Sequence, residues 1–126
     1  MIFLAALALQ LSSLGNIPQL EQASQAAAQS SNECFTSVAN AWWSLPDDAR
    51  AIADAAVYGC DDELEAEAMA FHRLLLARLM AEKSSTAGLE QAMAAHRNDF
   101  RERSRLGVEA IVLKKRFFAA KSQNGR

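Results

Sequence analysis

Two cysteines constrain this chain more than any other feature, because a bond between them dictates which parts of the backbone must meet. Cys34 and Cys60 are the only two, and each falls on an apolar run at helical spacing. Cys34, Val38 and Ala41 form one stripe, with Phe35 and Trp42 beside it; Ala49, Ile52, Ala56 and Cys60 form the next. Residues three and four apart share a helix face, so both sulfurs are aimed at a core. An even cysteine count behind an apolar N-terminus predicts a disulfide made in an oxidising compartment. Such a bridge closes a loop of about 25 residues, which the chain-entropy account makes worth ~3 kcal/mol. The competing expectation is two buried free thiols in a cytosolic protein.

The bridge carries a geometric condition. At ~1.5 Å per residue, Cys34 lies about 15 Å before a turn centred on Ser44, and Cys60 about 24 Å after it. A plain antiparallel hairpin therefore misaligns the pair by roughly 9 Å, whereas the Cα atoms of a disulfide lie within about 7 Å. Either the helices cross steeply or part at the turn, or the turn takes up extra residues, or the bond is absent.

Everything between these constraints reads as helix. The chain has 126 residues, enough for one domain. It has five Gly and two Pro, and β-branched residues are sparse outside Val108 to Val112. Ala, Leu, Glu, Arg and Gln, the good helix formers, dominate. The expectation is an all-α fold: a small bundle of about four helices, roughly 27–43, 45–58, 61–83 and 87–120, with a long C-terminal helix and one disulfide between the first two core helices. Residues 33–121 form the bundle domain, 16–32 a polar spacer or frayed helix, and 122–126 a frayed tail. Ser44 is the expected cap of the second helix, with Pro46 in its first turn. Gly59 offers a left-handed exit, and Asp61 the next cap. Leu64, Ala68, Phe71, Leu75 and Leu79 make the third helix's stripe. In the last helix, Leu89, Met93, His96 and Phe100 make a first stripe, and Leu106, Ala110, Leu113 and Phe117 a second, with Gly107 the expected bend. Trp42 and Trp43 are adjacent, so they cannot both face one core.

The N-terminus reads as an address. Ile2 to Leu9 is an eight-residue apolar run, too short for the ~20 residues that span a bilayer. It fits the apolar region of a secretory signal occupying residues 1–15, with Ser13 and Gly15 as small residues before a cleavage point. No Lys or Arg precedes the run, since the first base is Arg50. The alternative is an apolar first helix of a cytosolic bundle. Export places the protein in the periplasm or outside the cell; the alternative places it in the cytoplasm.

Charge is segregated. Net charge is −2, yet residues 47–70 carry −7 and residues 71–126 carry +7. One expectation is that acidic and basic helices pack side by side. The sharper one is an anionic partner for a basic ridge of Arg97, Arg101 and Arg105, extended by Lys114, Lys115 and Arg116. Asp99 and Glu102 stand at helical spacing from Arg103 and Arg105 and dilute that field. The net acidity argues against nucleic acid as the target.

Other chemistry lacks its residues. His72 and His96 are the only histidines, and neither is preceded at three residues by the Glu of a di-iron bundle. Each reads as a core or boundary residue. No cysteine spacing suits zinc. The acids from Asp61 to Glu67 lack the glycine and ligand spacing of a calcium loop and read as helix-start charge. There is no phosphate-binding glycine loop and no motif that positions a nucleophile against a base. No catalytic, cofactor-binding or metal residue is assigned, and no motif ties the chain to a known family. The resulting expectation is a small, exported, non-catalytic helical protein that binds or modulates a macromolecule in the cell envelope. The alternative is a cytosolic helical regulator whose basic C-terminal helix contacts nucleic acid or anionic membrane.

Overall fold

A computed structural model describes residues 16–124, all of whose regular structure is helical: α1 (Ile17–Trp42), α2 (Ala49–Gly59), α3 (Asp61–Ala81) and α4 (Leu89–Asn124). The apolar run at residues 2–9 and the expected signal segment lie outside the described residues.

The first helix starts at Ile17 rather than near residue 27. Asn16 caps it, its side-chain oxygen accepting from the Gln19 backbone N–H at 3.3 Å, and Pro18 sits in the first turn, where a missing N–H does no harm. The stretch expected to be a polar spacer or a frayed helix is therefore helical from Ile17. Its inward positions are small: Ser24, Ala27, Ala28 and the buried Ser31. Little apolar area marks this face in the sequence. The bulk comes from α3, the helix on which α1 packs most extensively, with Leu74 buried and Leu75 and Leu76 half-buried.

The turn after α1 takes up more chain than expected. Asp48, not Ser44, caps α2, accepting from the Ala51 N–H at 2.7 Å. Pro46 explains the shift, because the residue before a proline is steered away from helical backbone, so Leu45 cannot open a helix. At the other end of α2, Gly59 makes no left-handed exit. The chain passes directly through Cys60 (φ −103°, ψ 21°) into α3. Helical bonds flank the break: the Cys60 N–H donates to Ala56 at 2.9 Å, and the Leu64 N–H donates to Cys60 at 3.0 Å. Cys60, not Asp61, occupies the cap position, and Asp61, Asp62 and Glu63 fill the first turn, where negative charge favours the helix dipole.

Helices α2 and α3 thus form one broken run. It descends antiparallel to α1, as Cys34–Cys60 and Arg78–Glu21 require, while α4 rises alongside, antiparallel to the same run. Four helices fill the positions of a three-helix bundle. The break at Cys60 lets the two segments choose different partners: α2 packs mainly on α4, and α3 mainly on α1.

The disulfide is present, with Cα atoms 6.0 Å apart. The register condition is met at the turn. Counted from the real helix ends, Cys34 lies about 12 Å before Trp42 and Cys60 about 16 Å after Ala49, a mismatch of only ~4 Å. Cys60 is fully buried in the main core with Phe35, Ala39, Ile52, Ala53, Ala56, Leu64, Val108 and Val112.

Candidate functional site: the two faces of the last helix

Helix α4 is 36 residues long, about 54 Å. It runs through Gly107 without a break. One side of it is an unbroken series at intervals of three and four: Arg97, Arg101, Arg105, Val108, Val112 and Arg116. This is the inward side. The valines are buried against the alanine-rich face of α2 (Ala49, Ala53, Ala56).

The arginines of the same side meet the acids of the broken run. Arg101 reaches Asp61 at 2.9 Å and Glu65 at 3.3 Å; Arg97 reaches Glu65 at 3.5 Å; Arg105 lies 4.0 Å from Asp54 and 3.6 Å from Glu109. The ridge that the sequence offers to an anionic partner is thus turned toward α2 and α3. Arg116 does something different. Its guanidinium donates to three backbone carbonyls of the α1–α2 turn: Trp43 at 2.8 Å, Leu45 at 2.8 Å and Asp47 at 2.6 Å. No side chain in that turn can satisfy these oxygens as well as a planar five-donor fork. Along the exposed edge Arg103 pairs with Asp99, and the inward Arg105 also takes Glu102; these bonds hold both carboxyls below their ordinary values. The solvent-facing Asp99–Arg103 pair stabilises weakly.

The opposite side of α4 overturns an expectation. Leu106, Ala110, Leu113 and Phe117, expected to face the core, point into solvent: Leu106 is 51% exposed, Leu113 52%, Phe117 64%, and the neighbouring Phe118 54%. Two apolar stripes share this half of the helix, and the valine stripe takes the core. The reason is spacing. An alanine-lined neighbour comes close, and Val fits such a gap where Leu and Phe do not. Lys114 and Lys121 are exposed and Lys115 is half-buried; none takes part in an ion pair among the described residues.

The remaining candidates resolve as packing. His96 stacks on Phe71 with ring centroids 4.0 Å apart and meets Phe100 edge-on at 4.0 Å. His72 is half-buried on α3. Glu63 places a carboxylate oxygen within 4.8 Å of both cysteine sulfurs. Joined as a disulfide, those sulfurs have no thiolate to give a metal. Trp43 packs against the core, and Trp42 is exposed. No described helix is long and apolar enough to cross a membrane.

Fold and surface together define a disulfide-braced, all-α bundle with one helix apolar on two sides. The chain matches no known family, curated protein or solved structure.

Proposed function

We propose that this chain is an exported, non-catalytic helical protein that binds a macromolecular partner in the cell envelope, and that the outer side of α4 is the binding surface. One observation carries the choice of surface: Leu106, Leu113, Phe117 and Phe118 stand in solvent on a helix that already buries Val108 and Val112. A helix needs a single apolar side to pack in a bundle. A second contiguous one has no folding role and is the usual mark of an interaction site. Export is supported by the apolar N-terminal run and by the disulfide, which persists in oxidising compartments.

The cytosolic alternative, with the basic ridge of the C-terminal helix on nucleic acid or anionic membrane, is less well supported. It needs Arg97, Arg101 and Arg105 free for phosphates, and these are engaged with Asp54, Asp61 and Glu65.

A photo-crosslinking residue placed at Leu113 or Phe117 in the native host tests the reading, with Thr36 on the exposed face of α1 as the control. Adducts to protein or lipid formed from α4 but not from α1, in the envelope fraction, are the expected result. Absence of adducts from α4, or equal labelling from both helices, counts against it.

A further inference from the structure

We infer that the outer side of α4 docks on an anionic bilayer surface. This rests on the reading of that side as the binding surface and names what covers it. Leu106, Ala110, Leu113 and Phe117 recur at four, three and four residues, so they make a straight strip about 16 Å long on one side of the helix. Phe118 projects beside the strip, its ring edge-on to Phe117 with centroids 5.8 Å apart. Lys114 and Lys121, seven residues apart, lie two helical turns apart along the strip's flank, between it and Phe118.

Charge chooses among possible occupants. Glu109 is the last acid in the sequence, and Lys114, Lys115, Arg116 and Lys121 follow it within the described helix. C-terminal to Glu109, the stretch of α4 that exposes Leu113, Phe117 and Phe118 is therefore purely cationic, while Leu106 lies beside Glu102 and Glu109. Two ammonium groups with no ion-pair partner among the described residues, Lys114 and Lys121, flank the strip, and Lys115 lies round the helix from it; the arginines that do have partners lie on the other side or nearer the helix start. An apolar strip flanked by lysines is the layout of a helix lying in a lipid interface, with hydrocarbon below and anionic headgroups at the level of the charges. Lysine stems lie along the apolar surface while their heads reach the headgroups. A protein groove is matched less well. The apolar line is short, has Ala110 in its middle and ends in two aromatic rings on different sides of the helix, which a fluid surface accepts more readily than a shaped one.

Sedimentation of the purified, oxidised protein with vesicles tests this. Phosphatidylglycerol-containing vesicles should carry the protein down, pure phosphatidylcholine vesicles should not, and high salt should release it. Two double variants separate the contributions: Lys114→Gln with Lys121→Gln, and Phe117→Ser with Phe118→Ser. Each should weaken vesicle binding roughly tenfold or more. All four residues are exposed or flank the strip, so thermal unfolding should be unchanged, which guards against a folding artefact. Failure to sediment while crosslinks from Leu113 persist in cells overturns the bilayer inference and leaves the binding-surface reading standing. Failure of both removes both. Equal binding to the two kinds of vesicle, or binding that survives both double variants, also overturns the inference. So does a dimer abolished by Leu113→Ser in a protein that ignores vesicles, which assigns the strip to a second copy of the chain.

Discussion

Arg116 is the residue on which the α1–α2 turn depends. The turn holds Pro46 and has no intrahelical ladder, so its carbonyls need donors from elsewhere. One guanidinium supplies three of them. Arg116→Ala should lower stability by about 1–3 kcal/mol, and Arg116→Lys should rescue only part, because a point ammonium cannot repeat a fork. Denaturant titration of the three proteins checks this; an unchanged midpoint for the alanine variant contradicts it. Lys83 is the second telling residue. It ends α3 at φ +55°, where the Ser84 N–H donates back to Leu79 and the Lys83 N–H to Met80. Glycine is the usual occupant of that position. Lys83→Gly should therefore raise stability by about 1 kcal/mol, the left-handed penalty of a side-chain-bearing residue, visible as a higher melting temperature. Neither role was legible beforehand. Arg116 stood among candidate anion contacts because a run of bases does not reveal which member points inward.

At the scale of elements, the helical class and its approximate segments were legible from propensity and periodicity, while boundaries moved wherever a cap outweighed a stripe. Asn16 with Pro18 is a strong start signal, yet the small residues of 16–32 carry too little apolar area to stand out. The stripe of α4 is the more instructive error. Leu106, Ala110, Leu113 and Phe117 are more hydrophobic than the valine series, and hydrophobicity alone favours them. Which stripe packs is decided by the neighbour, and the alanines of α2 admit only narrow side chains. A signal was nonetheless present: Arg97, Arg101 and Arg105 run in phase with Val108 and Val112, and a −7 segment waits for them in residues 47–70. Opposite charge on the partner marks the inward side. The same helix carries a prediction. Gly107 is helical, and a Cβ there would meet nothing within 4 Å. Gly107→Ala should stabilise the protein by about 0.5–1 kcal/mol. A loss of stability would mean that α4 depends on a bend at this point.

Across the whole molecule, the cysteine pair organises the bundle. The sequence alone posed a register problem, and the fold meets it by lengthening the turn and by letting α2 leave α1 for α4 at the Cys60 break. The bond holds that break against α1, joining the two parts of a core too small to be generous in stability. Replacing both cysteines with Ser should cost roughly 2–4 kcal/mol, read as a fall in the unfolding midpoint. The α3–α1 contact should loosen first, with faster amide exchange in residues 61–81 than in α4. The acidic segment and the last helix also find each other at this scale, since Asp54, Asp61 and Glu65 meet Arg97, Arg101 and Arg105 of antiparallel α4 across one interface.

The bundle is clamped by Cys34–Cys60, and its export is the proposal that most needs a test. Peptide mapping of the protein taken from its native host, with free thiols alkylated before lysis and the N-terminus sequenced, tests it most directly. The expected result is a chain lacking its apolar leader, with a single linked pair of peptides bearing Cys34 and Cys60 and no alkylated thiol. A full-length chain with both cysteines alkylated would contradict it.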